Sequence, residues 1–153
     1  MHIINGVAPT TPGAEVVPWR HTIGNWNFTQ DGGAQTTFPI FTVTGDVYIF
    51  GIFGVCKTTL DSVGAPKIEL GIVGNTASLI AQTLAKDLDV DETWQDAAPT
   101  VNPAPVILLV RSFVLAAGAD IGLKTTVADL TAGAIDFHVF WAPLSLDGYI
   151  VPV

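Results

Sequence analysis

A chain of 153 residues and 16.1 kDa is long enough to bury one sizeable core and short for two domains. Its formal net charge of −8, pI of about 4.4 and six scattered basic residues exclude a surface that neutralises phosphates or lies on an anionic membrane, since both need clustered Lys and Arg. Charged residues make up only 13% of the chain and hydrophobic ones 49%, against about 25% charged in ordinary soluble domains. The exterior is therefore short of charge, and part of it is expected to be covered by other subunits.

In chain order, residues 1–35 come first. Two turn-rich stretches, "NGVAPTTPGAE" and "TQDGGAQTT", flank "VVPWRHTIGNWNF", which carries Trp19 and Trp26 among prolines, glycine and asparagines. This reads as an extended N-terminal arm. Tryptophans are costly to leave in water, so Trp19, Arg20, Trp26 and Phe28 are candidate partner-binding residues of an arm packed on something else.

Residues 36–153 read as the folded domain. "FPIFTVT" (38–44) and "VYIFGIFGVCKTTL" (47–60) flank a Gly-Asp turn and are expected to pair as a hairpin. "APKIELGIV" (65–73) and "ASLIAQT" (77–83) follow, joined by Gly74-Asn75. Then come an acidic, proline-containing segment (84–105) and the strands "PVILLVRSFVLAA" (105–117), "DIGLKTTV" (120–127) and "AIDFHVFWAPL" (134–144). A helical turn near Asp91–Gln95 is expected to seat Trp94 in the core. Seven or eight strands separated by turns predict an all-β antiparallel sandwich, jelly-roll-like, behind the arm.

Period two assigns the faces. Ile135, Phe137, Val139 and Trp141 oppose Asp136, His138 and Phe140, and Ile68, Leu70 and Ile72 oppose Lys67, Glu69 and Gly71. Residues 47–56 are apolar on both faces, with Val47, Ile49, Phe53 and Val55 on one and Tyr48, Phe50, Ile52 and Cys56 on the other. A sandwich core covers only one face of a sheet, so the second must meet the arm or a neighbour. Tyr48 and Phe50 thereby join the candidate partner-binding residues.

The chemistry-bearing motifs are sparse. "GIVGNT" (71–76) has neither the three glycines of a dinucleotide loop nor the lysine of a phosphate loop, and its Gly-Asn pair signals a hairpin. "DLDVDE" (87–92) begins like a calcium loop but has Glu92 where the turn glycine belongs and Ala98 where the bidentate Glu belongs. His2, His21 and His138 lie far apart in sequence, without metal-ligand spacing. Asp136 and His138 share a strand face, an arrangement met more often in a hydrogen-bonded edge than in acid–base catalysis. The one cysteine, Cys56, allows no internal disulfide and lies in an apolar strand, where a thiol is a small hydrophobe. The longest apolar runs are too short, or interrupted by Arg111, to span a bilayer as a helix, and the N-terminus lacks the pattern of a secretory signal. No catalytic set, metal or cofactor is expected.

"IELGIVGNTASLIAQTLAKDLDVDETW" (68–94) and "AIDFHVFWAPLSLDGYIV" (134–151) resemble a group of small virion structural proteins of tailed bacteriophages. In that group an E-L-G-V-x-G-N-T-A strand, an "LIAQT" strand, an acidic loop ending in Trp and a terminal strand ending in W-x-P-L-S recur. The resemblance covers residues 66–146. It implies a β-sandwich subunit of the head decoration or cement type, a homotrimer on the exterior of the capsid that binds the major capsid protein between capsomers and is assembled in the host cytoplasm. The alternative function is a carbohydrate-binding module of a fibre or neck, with Trp19, Trp26, Trp94 and Trp141 as stacking platforms.

Overall fold

The computed structural model describes residues 19–103 and 112–153. They form ten strands: β1 (Arg20–Asn27), β2 (Thr37–Thr44), β3 (Val47–Asp61), β4 (Lys67–Ile72), β5 (Asn75–Leu84), β6 (Thr93–Trp94), β7 (Phe113–Leu115), β8 (Ile121–Thr126), β9 (Ala132–Pro143) and β10 (Tyr149–Pro152). One sheet has the order β1-β9-β3-β6, with β7 also paired to β3, and the other has the order β10-β2-β8-β4-β5. Every pairing is antiparallel. The two sheets pack face to face as a sandwich, the all-β class that the strand pattern predicts, with no α-helix among the described residues.

The spine of the first sheet is β3 against β9. On β9 the period-two reading holds: Ile135, Phe137, Val139 and Trp141 are buried against the second sheet, while Asp136, His138 and Phe140 point outward. Full burial of each such side chain stabilises the fold by roughly 1.5–3 kcal/mol. Ile68 and Leu70 of β4 and Ile121 and Leu123 of β8 supply the facing half of the core.

On β3 the predicted faces are wrong beyond Phe50. The register steps from Ile49↔Trp141 to Gly51↔Phe140, so Phe50 is an extra residue opposite no partner. Such a bulge reverses the in–out parity of everything after it. Val47 and Ile49 point into the core, and after the bulge so do Ile52, Gly54 and Cys56, whereas Phe50, Phe53 and Val55 point out.

The expected hairpin of residues 38–60 does not form. β2 belongs to the second sheet and β3 to the first, so the Gly45-Asp46 turn carries the chain across the sandwich. Gly45 has φ +60°, and a Cβ there would stand 2.5 Å from Asp147 Oδ1 and Ser145 Oγ. Asp46 N donates to Ser145 Oγ, and Asp46 Oδ1 accepts from Ala117 N. The corner is thus tied to two other loops rather than to a partner strand.

The arm reading also changes. Residues 1–18 lie outside the described set, but 20–27 form β1, paired along its whole length with β9 from Arg20↔Trp141 to Asn27↔Ala134. Its pattern is hidden by Gly24, where a Cβ would come within 3.0 Å of Phe41 and Ile40; the glycine admits the Phe41 ring to the core. The hairpin of β4 and β5 is present, with Val73-Gly74 as its turn and Asn75 already in strand. Trp94 is fully buried as expected, but on the short strand β6; the one helical turn among the described residues is Ala85–Asp87. Of the strand expected at 105–117, residues 104–111 lie outside the described set and Phe113–Leu115 form β7.

Candidate docking surface

The two outer faces of the sandwich differ in chemistry. On the second sheet the outer side chains around Glu69 of β4 form a polar network, while β10 at its edge exposes Tyr149 and Val151. Glu69, only 7% exposed, accepts from Thr76 Oγ1 at 2.5 Å and Gln82 Nε2 at 2.9 Å, and Lys124 Nζ stands 3.7 Å from it. Such a network leaves the polar groups of that part of the face satisfied.

The first sheet is aromatic outside. Pairing sets Phe53 of β3 beside His138 of β9, and His21 of β1 beside Phe140 of β9. The His21 and Phe140 rings lie 4.4 Å apart with planes within 6°, and the Phe53 and His138 rings 5.1 Å apart within 14°. His21 Nε2 meets His138 Nδ1 at 3.0 Å, and beside them Asn25 Nδ2 donates to Asp136 Oδ1 at 2.6 Å. Burial pushes the His138 pKa below its ordinary value, with His21 pushing the same way, Asp136 opposing and Lys57 adding a smaller downward push.

Toward the end of the sheet near Trp19 the face deepens into an open hollow of about 260 Å³ lined by Trp19, Tyr48, Phe50, Ala142, Pro143 and Leu144. Ordinary alternation sets Phe50 outward on the same face as Tyr48, whose ring it meets edge-on at 4.9 Å, and under Trp19. Trp19 is 67% exposed and Leu144 56%. The volume lies below the roughly 300–1,000 Å³ of pockets for drug-sized ligands and suits one or two apolar side chains of a partner.

Three of the six predicted partner-binding residues, Trp19, Tyr48 and Phe50, therefore meet in one place. Arg20 is close by in the chain, but its guanidinium lies over the rings of Trp141 at 5.1 Å and Tyr149 at 5.7 Å. Trp26 and Phe28 are taken up by the chain's own packing. Trp26 Nε1 donates to Gly32 O at 2.9 Å and its ring packs on Phe38, while Phe28 is 3% exposed. The residues that sequence reasoning did not assign to the surface are His21, Phe53, His138 and Phe140. The outward set on β9 was readable from period two; its alignment with His21, 117 positions away, was not.

The remaining candidates are Cys56 and the acidic loop. Burial pushes the Cys56 pKa up to about 11, and its Sγ donates to Thr58 O at 3.2 Å, so it behaves as a protonated core group. In the acidic loop Asp91 takes φ +68° and Glu92 Oε2 accepts from Asp89 N, and among the described residues no three His, Cys, Asp or Glu side chains gather to hold a metal ion. Among the described residues no helix is long and apolar enough to cross a membrane. Comparison of the chain with family models, with curated proteins and with solved structures found no match.

Proposed function

We propose that this protein is a structural subunit that assembles through the aromatic outer face of its first sheet. In the setting implied by the phage resemblance, it is a head decoration or cement protein, a homotrimer seated on the major capsid protein. The observation that carries the reading is the hollow lined by Trp19, Tyr48 and Phe50 on the outer face of the first sheet, open at Trp19 and Leu144, whereas the outer face of the second sheet carries a polar network around Glu69. Exposed aromatics beside an apolar pocket are what interface anchors are made of.

The carbohydrate-binding reading retains little. It needs several exposed ring faces, yet Trp94 and Trp141 are 0% and 1% exposed and Trp26 packs inward, leaving Trp19 alone. Iodide is therefore expected to quench one of the four tryptophans in the free protein. Quantifying the protein in purified particles of the phage that encodes it tests the virion assignment. Many copies per particle fit head decoration, a few place it at the neck or a fibre, and absence from the particle refutes the proposal.

A further inference from the structure

The His21–His138 pair sits in the middle of this aromatic face, and its geometry constrains how many protons it can hold. The nitrogens are 3.0 Å apart, the ring centres 5.2 Å apart and the planes within 11° of each other. Two nearly coplanar rings so placed stand end to end, joined by one in-line N–H···N bond. Whichever ring donates, one inner nitrogen must carry the proton and the other must be bare. A first added proton enters at an outer nitrogen, His21 Nδ1 or His138 Nε2, and strengthens the bond by making its donor cationic. A second makes both rings imidazolium, puts N–H on both inner nitrogens, and replaces the bond with two donors and two like charges facing one another.

We infer that the His21–His138 pair is an acid-sensitive latch that accepts one proton and is broken by the second, releasing a second copy of this chain from the aromatic face. The inference rests on the docking reading above and adds its regulation. In the latched state each ring stacks on a phenylalanine, His21 on Phe140 and His138 on Phe53, so the face stays flat and carries at most one charge. In the doubly protonated state the rings must part, and a partner closing on the face would have to desolvate two cations.

The charged groups that bear on His138 from the packed strands are His21 of β1, Asp136 of β9 and Lys57 of β3. Asp136 is already engaged by Asn25 and is the one opposite charge available to a dication there. His138 is held below its ordinary pKa, so protonation is resisted at neutral pH and completed only in acid. Between about pH 5 and pH 8 histidine is the one side chain that titrates at its unperturbed pKa. The chain has three histidines, which leaves His2 as the single control.

Two measurements on the full chain decide it. In ¹⁵N-labelled protein, a through-bond N–N coupling between His21 Nε2 and His138 Nδ1 should be seen near pH 8 and vanish on titration to about pH 5. Over the same range self-association should weaken about tenfold or more, a change that His21→Gln combined with His138→Asn flattens and His2→Gln leaves in place. Absence of the coupling at pH 8, or an equal pH response in wild type and the double variant, would overturn the latch. A wild type that is monomeric at neutral pH would instead remove the self-association reading, and the coupling titration would still decide whether the latch exists.

Discussion

Cys56 and Trp94 show how single residues settle what the core is for. Cys56 is fully buried, with its thiol donating to Thr58 O and standing 3.6 Å from Leu88 O. Its pKa, pushed up to about 11, keeps it a thiol throughout the physiological range. Cys56→Ala should cost about 1 kcal/mol as a small core truncation, and the wild-type thiol should react with a disulfide reagent only once denaturant opens the fold. Rapid reaction in the native protein would contradict its place in the core. Trp94 Nε1 donates to Thr83 Oγ1 at 2.7 Å inside the core. Trp94→Phe keeps most of the apolar contact but strands that hydroxyl's acceptor site, so thermal unfolding should show a loss of about 1–3 kcal/mol. For His138 the folded pKa is lowered, so the native state binds fewer protons than the unfolded chain. The sign follows directly: stability present above the ordinary histidine value of about 6.5 falls as pH drops toward the lowered folded value and levels off below it. His138→Asn should flatten that part of a melting-temperature profile.

Among the elements, period-two patterns told which residues share a face but not which strand lies alongside. On β9 no irregularity intervenes, and the inward set from Ile135 to Trp141 could be read residue by residue. On β3 one extra residue, Phe50, inverts the faces of Phe53 and Cys56 relative to a regular strand, and nothing in "VYIFGIFGVC" announces where a bulge falls. β1 escaped notice because Gly24 and the asparagines around it mask an alternation whose other half is His21, Ile23 and Asn25. The Gly45-Asp46 turn has the composition of a hairpin yet joins two sheets, a tertiary choice decided by its hydrogen bonds to Ser145 and Ala117. The β4–β5 turn is the opposite case, local and readable. Gly74 has φ +85° and open space where a Cβ would stand, so the penalty of Gly74→Val is one of backbone conformation alone. It should lower stability by about 1–2 kcal/mol, and Gly74→Asn by clearly less, since Asn tolerates the left-handed region. Equal melting temperatures for all three proteins would mean that the turn relaxes to another type.

At the scale of the whole molecule, low charge and high apolar content are divided unequally. The core between the sheets takes the largest apolar side chains, such as Trp94, Trp141, Phe41 and Phe137, and the outer face of the second sheet is polar around Glu69 and Lys124. The outside of the first sheet carries an aromatic group, from Phe53 and Phe140 to the hollow under Trp19, while other exposed apolar residues such as Val63, Val73 and Leu146 are scattered over the loops. Burying such a face at about 25 cal/mol per Å² opposes the entropy lost on association. The most direct test of this account is the mass of the protein by light scattering at micromolar concentration and neutral pH, beside a Trp19→Ser, Tyr48→Ser variant. The wild type should give a multiple of the 16.1 kDa chain, three-fold if it is a trimer, and the variant should give the single-chain mass with an unchanged far-ultraviolet circular dichroism spectrum. A monomeric wild type, or a variant that associates as tightly as the wild type, would contradict assembly through this face.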